Sequence, residues 1–283
     1  MSDIVIMAET GSDMPAAEAA ELGIELVPMH VSIGTETIDD GTLPPAEMLE
    51  RCRQLVVMPK TSGCTPADFE AALARVEAAH PGAEVLYLAY SAATTCSYES
   101  ALQVAAGRPG FRALDTTHVT IGQGFVVRAT ARRLAEDPDV TLDELYDFAA
   151  DASARMRMGF IPGDLGYLRS GGRLSNAGFI GATLLRIKPV IELVDGRLVA
   201  TKKFRGSMQA CCLRLIDHMA LQGDFLTDEV DFVRSPGLPL AIQQAADEHA
   251  RELGFRTIRW YDTQNVITSH CGPGSFAVAM MGA

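Results

Sequence analysis

Glu84-Val85-Leu86-Tyr87-Leu88-Ala89-Tyr90-Ser91-Ala92-Ala93-Thr94-Thr95-Cys96-Ser97-Tyr98-Glu99-Ser100 passes from an apolar run into a hydroxyl-rich loop and on into a helical stretch. An apolar run of strand length that feeds a helix is the repeating unit of α/β folds. The pattern continues on both sides. Strands are predicted at 3–8, 25–33, 84–90 and 111–115, and helices near 14–22, 45–56, 66–79, 96–107, 119–136 and 142–156. Such alternation implies βαβ units and a largely parallel sheet with flanking helices. Thr65-Pro66-Ala67-Asp68 places a hydroxyl at an N-cap, proline at the first helical position and an acid in the first turn. Gly23 reads as the stop of the first helix.

Beyond residue 157 the texture changes to a glycine-rich loop and then a hairpin. Residues 187–194 read as one strand and 197–204 as its partner, turning at Asp195-Gly196, with a further strand around Tyr261 and an apolar end over 276–281. A chain of 283 residues suits two domains of ordinary size. They are expected at 1–157, an α/β domain, and 158–283, a mixed α/β domain, with a ligand site between them. At 48% apolar and 21% charged residues the composition is that of a globular chain. The opening lacks a basic flank and no run of about 18 apolar residues occurs, so neither a signal peptide nor a transmembrane segment is expected, and the cytoplasm is the expected location. Six cysteines without a C-x-x-C pair argue against a zinc site or a disulfide framework.

The net charge of −12 disfavours a general nucleic-acid surface. Residues 165–206 stand apart, because eight basic residues against two acidic ones give this stretch +6 and leave −18 to the remainder. Within it, Leu168-Arg169-Ser170-Gly171-Gly172-Arg173 joins a double glycine to two arginines, an arrangement able to present guanidinium donors to a phosphate or an acidic partner. Arg205 closes the second hairpin strand, where a solvated charge is the plain alternative.

Two loops of the first half could line the crevice beyond the strand ends: Pro59-Lys60-Thr61-Ser62-Gly63-Cys64-Thr65, and residues 90–100. They offer hydroxyls at Thr61, Ser62, Ser91, Thr94, Thr95 and Ser97, with no carboxylate before Glu99. Donors without acids suit an anionic ligand, which gains charge-assisted hydrogen bonds. Serine and threonine are also common at caps and turns, and Thr65 is read that way. A terminal loop, Thr268-Ser269-His270-Cys271-Gly272-Pro273-Gly274-Ser275, sets a histidine beside a glycine-proline-glycine turn, from which it could reach a cleft.

These segments resemble the DegV family, which includes the fatty-acid-binding FakB subunit of bacterial fatty acid kinase. The family's opening T-D-S-x-x-D-L-P is met loosely by residues 8–15, its T-S-Q-P by Thr61-Ser62-Gly63-Cys64, and its S-S-x-x-S-G-T-Y-Q-S-A by residues 91–101. Its L-x-x-G-G-R-I-S and G-x-x-L-x-I-K-P are met by residues 168–175 and 181–189, and its H-x-G-x-G by residues 270–274. The resemblance implies a long-chain fatty acid buried between two α/β domains. Its carboxylate would be held by Thr61 and Thr95, with Ser62, His270 and Ser91 close by. A separate fatty acid kinase would phosphorylate that carboxylate, and Arg173 and Arg205 would face the partner or the phosphate. No catalytic residue, cofactor or metal is implied for this chain itself. Ala92 and Cys96 stand where the family has serine and glycine, Thr95 where serine is usual, and the lysines that usually follow the arginine of the hairpin are missing after Arg205.

Two other readings remain open. A binding module for another anionic lipid or a phosphorylated metabolite fits the same loops. A stand-alone hydrolase or phosphotransferase using Cys64, Cys96 or His270 has less behind it, since the chain has no G-x-S-x-G elbow and no G-x-x-x-x-G-K-[ST] loop.

Overall fold

The computed structural model describes residues 3–173 and 187–283. Four parallel strands, β1 (Ile4–Glu9), β2 (Ile24–Val27), β6 (Glu84–Ala89) and β7 (Phe111–Asp115), form a sheet in the order β2-β1-β6-β7. Its central strands β1 and β6 are almost wholly buried, as strands covered on both faces must be. Helices α1 (Ala16–Glu21), α2 (Pro45–Leu55), α3 (Pro66–Ala79), α4 (Ser97–Val104), α5 (Thr120–Glu136) and α6 (Leu142–Arg155) alternate with the strands of this half. Helix α3 has the predicted ends. Thr65 accepts from the Asp68 amide while the Asp68 carboxylate accepts from the Thr65 amide, a reciprocal capping box.

The single strand expected at 25–33 is instead two strands in different sheets. Pro28 lacks the amide a ladder needs, so β2 stops at Val27 and the chain restarts as β3 (His30–Ile33). That strand pairs antiparallel with β4 (Glu36–Asp39) and β5 (Lys60–Ser62) in a small sheet. The first hydroxyl loop is therefore partly a strand, with Ser62 opposite His30. His30 in turn bridges Asp39 and Asp68, each at 2.9 Å, which anchors the small sheet to α3.

The second half is built on six strands in the order β10-β9-β8-β13-β11-β12: β8 (Met156–Ile161), β9 (Ile187–Val194), β10 (Arg197–Arg205), β11 (Phe225–Arg234), β12 (Thr257–Asp262) and β13 (Phe276–Gly282). Helices α7 (Leu165–Ser170), α8 (Met208–Ala220), α9 (Leu240–Glu252) and α10 (Asn265–Cys271) complete it. The β9–β10 hairpin turns at Asp195-Gly196 with positive φ at both residues (50° and 72°), the backbone a two-residue turn of this kind requires. Strand β13 is buried along its whole length. Phe276, Val278 and Met280 enter a core under α8 and α9, whereas Ala277, Ala279 and Met281 enter the larger core shared with the first half. Helix α5, buried at eleven positions, lies between the four-stranded and six-stranded sheets. No helix among the described residues is long and apolar enough to cross a membrane.

Candidate functional site

In the parallel sheet the connections run outward in opposite directions from the β1–β6 pair, so a crevice opens at the carboxyl ends of these two strands. A cavity of about 290 Å³ lies there. Tyr90, Thr94, Thr95 and Cys96 line it from the loop after β6, and Thr61 and Ser62 line it from β5. Val266, Ile267 and His270 come from α10, and Phe160, Val233 and Ala277 from the six-stranded sheet.

The polar lining residues are tied together. Thr61 Oγ1 lies 2.9 Å from His270 Nε2. Thr95 Oγ1 lies 3.1 Å from Ser97 Oγ, which accepts from the Cys64 amide at 3.0 Å. This joins the two predicted hydroxyl loops. Gly63 permits the approach, since a Cβ at that position would collide with Thr95 Oγ1. Arg173 donates to the carbonyls of Thr94 (2.8 Å) and Gly171 (2.7 Å), and Gly171 backs directly onto the His270 ring.

Burial, with the Arg173 charge adding to it, pushes His270 down to about 4. The imidazole is thus neutral near pH 7. Its Nδ1 is buried without a partner among the described residues. A bare acceptor there costs less than a bare N–H, so we assign the proton to Nε2, which then donates to Thr61 Oγ1. That bond leaves the Thr61 hydroxyl proton free to point at a ligand.

Elsewhere the wall is made apolar by consuming its own hydroxyls. Thr120 donates to Asp13, Thr263 and Thr268 share a bond of 2.6 Å, and Ser275 donates to Cys271 Sγ at 3.0 Å. Val119, Phe160, Leu198 and Val233 complete this side. The cavity therefore combines neutral donors and one guanidinium in one region with an apolar wall in another.

Of the residues singled out from the sequence, Thr61, Ser62, Thr95, His270 and Arg173 all line this cavity. Ser91 does not. Its buried hydroxyl donates to Gly196 O at 2.7 Å and holds the hairpin tip that delivers Leu198. Arg205 also lies apart, exposed at the open end of the hairpin. Six residues of strand lie between it and Leu198, a span of about 23 Å at the usual rise. His270 sits in the last turn of α10, so the terminal segment expected as a loop is helical as far as Cys271. Leu174, Ser175 and residues 181–186 of the matched motifs lie outside the described residues.

Sequence reasoning missed a group of buried acids behind the site. Glu9 accepts from the Tyr87 hydroxyl, the Tyr90 amide and Gln123. Asp13 accepts from Thr120 and from the Gln264 amide (2.6 Å), and Asp40 from the Val266 amide (2.9 Å). Helix α10 has no side-chain cap of its own, so these two aspartates serve its N-terminus from more than 200 residues away. Burial raises all three carboxyls, Asp40 to about 6. No group of three or more His, Cys, Asp or Glu among the described residues could hold a metal ion.

A DegV family model, one described as covering uncharacterised proteins, matches residues 3–282. A DegV domain-containing protein of Deinococcus radiodurans is 29% identical over 290 residues, covering 98% of each chain. Among solved structures, a DegV family protein from Thermus thermophilus described for its fatty acid binding superposes with a TM-score of 0.85 at 24% identity, covering 99% of this chain and 100% of its own. The Streptococcus pneumoniae fatty acid kinase B3 protein loaded with linoleic acid gives 0.81 at 17% identity, covering 99% and 100%. The family model spans both halves of the chain and every segment that lines the cavity: this chain belongs to the DegV family.

Proposed function

We propose that this chain binds a long-chain fatty acid, burying the acyl chain and holding the carboxylate on Thr61 and Thr95 with Ser62 and His270 beside them. The observation that carries this reading is the division of the cavity. Neutral donors and Arg173 gather in one region, while the remaining wall has its hydroxyls bonded away. An acyl chain of about 16 carbons gains roughly 0.8 kcal/mol per buried CH₂, on the order of 10 kcal/mol before the costs of association. The tail thus supplies affinity and the head-group donors supply orientation. The fatty acid binding described for the Thermus thermophilus and Streptococcus pneumoniae proteins supports the same reading.

On this proposal the chain is a carrier. It presents the carboxylate to a partner kinase, which phosphorylates it to an acyl phosphate, and Arg173, which lines the cavity, would meet the incoming phosphate. Catalysis then belongs to the partner. The fatty acid kinase named for the Streptococcus pneumoniae protein supports this step.

The recombinant protein is expected to co-purify with about one equivalent of fatty acid, read by solvent extraction and mass spectrometry. Charge-assisted hydrogen bonds contribute roughly 1.5–3 kcal/mol each, so Thr61→Val with Thr95→Val should weaken fatty acid binding at least tenfold, while the loss of the Thr61 acceptor leaves the His270 N–H bare and lowers the melting temperature of the lipid-free protein by a few degrees. Stoichiometric extraction of a phosphorylated metabolite instead of a fatty acid would establish the other ligand class.

A further inference from the structure

Tyr90 follows directly on β6 and lines the cavity, with only 9% of its surface exposed. Its phenol has no hydrogen-bond partner among the described residues, where Tyr90 is bonded through its amide. The ring is held from behind. Gly11 lies against Tyr90 Cδ2 so closely that a Cβ would press on it, and the Tyr90 amide is fixed on Glu9 Oε2 at 2.9 Å. By contrast, the hydroxyls of Thr94, Thr120, Thr263 and Ser275 each have a partner within the wall. An anchored phenol at the end of β6 is thus an O–H donor offered to whatever fills the cavity.

Resting on the fatty acid reading, we propose that the Tyr90 hydroxyl donates a hydrogen bond to the ligand carboxylate, as a further head-group contact beside Thr61 and Thr95. Burial is the largest influence on this phenol and raises its pKa, the neighbouring Asp13 adds to the effect, and Arg173 opposes it. The group therefore remains protonated across the working pH range. It can donate to an anion and never competes with it as a second negative charge. A phenol also costs less rotamer entropy to fix than a lysine would and brings no charge that must be desolvated with the ligand. This is consistent with a site that grips an anion chiefly through neutral donors.

Tyr90→Phe removes one oxygen atom and keeps the ring. With lipid-stripped protein, equilibrium binding is measured for palmitic acid, its methyl ester and 3-hydroxypalmitic acid. The proposal expects the substitution to weaken both acids about tenfold, to change the ester less than twofold, and to leave the melting temperature of the unliganded protein in place. An equal loss for acid and ester would make Tyr90 a packing residue and overturn the assignment. A loss confined to the hydroxy acid would move the contact to the chain, and no loss for any ligand would mean that the ring alone suffices; either overturns it. Failure of the wild-type protein to bind palmitic acid is a separate result, which would remove the fatty acid reading and this contact with it.

Discussion

Two carboxylate sites lie buried between the first and second halves of the chain, and among the described residues only the one at Asp231 holds a cation. Arg128 of α5 is 2% exposed and pairs with fully buried Asp231 of β11, while its other nitrogen donates to Tyr261 at 2.7 Å. Asp13 and Asp40 face α10 with backbone amides and a threonine hydroxyl but, among the described residues, no arginine or lysine bonded to them. The first site joins α5 to the six-stranded sheet by charge. The second joins the segments that follow β1 and β4 to α10 by hydrogen bonds, and burial drives its carboxyls upward. The difference shows two ways of fastening the same pair of halves. The first site fixes position through a direct ionic contact and the second through hydrogen bonds, and burial raises the carboxyls of both, Asp231 and Asp40 alike to about 6.

The comparison breaks most visibly at Arg128. Arg128→Met would leave Asp231 buried without its partner, a change that typically costs about 3–5 kcal/mol. Urea unfolding of the variant against wild type measures this, and a loss below about 1 kcal/mol would mean the pair does not fasten α5. The next effect belongs to Asp40. Its folded pKa of about 6 stands above the ordinary 3.8, so its contribution is fully present below pH 3.8 and is withdrawn as pH rises through 6. At about 1.4 kcal/mol per pKa unit, the withdrawal comes to about 3 kcal/mol. Asp40→Asn keeps an acceptor for the Val266 amide and removes the titration. The fall in stability between pH 4.5 and 8, which takes in about 2 kcal/mol of that withdrawal, should shrink by that amount in the variant, and an unaltered pH profile would show that Asp40 is not ionising in the folded state. The smallest effect is expected at Gly171, whose φ of −77° any residue adopts. Gly171→Ala therefore acts only through the collision of its Cβ with the His270 ring, at about 1–2 kcal/mol of overpacking. His270 should move from Thr61 and fatty acid affinity should drop, with the imidazole resonances in NMR reporting the move. Unshifted resonances would show that α10 yields rather than the ring.

Much of the fold is legible locally. The ends of α3 follow from Thr65, Pro66 and Asp68, and the hairpin turn follows from Asp195-Gly196, because in each case the deciding groups lie within a few residues. The split at Pro28 was visible as a residue but not as a consequence, since both flanks read as strand and the change of sheet depends on β4 and β5. The site divides in the same manner. Thr61, Thr95 and His270 were recognisable from residue type and motif, yet Ser91 carries the same chemistry and is consumed by Gly196, which lies 105 residues away. The acids at 9, 13 and 40 are not legible locally, because their carboxyls reach the site through tertiary contacts.

Strand β10 forms one edge of the six-stranded sheet, and its nine residues carry Arg197, Lys202, Lys203 and Arg205 exposed, with a register shift between Ala200 and Lys202. A long open edge invites another copy to add strands to it. Here an incoming β10 would bring four like charges against four, on a strand whose irregular register spoils a continuous ladder. The row of cations that an acidic partner would meet thus also opposes edge-to-edge pairing of one copy with another.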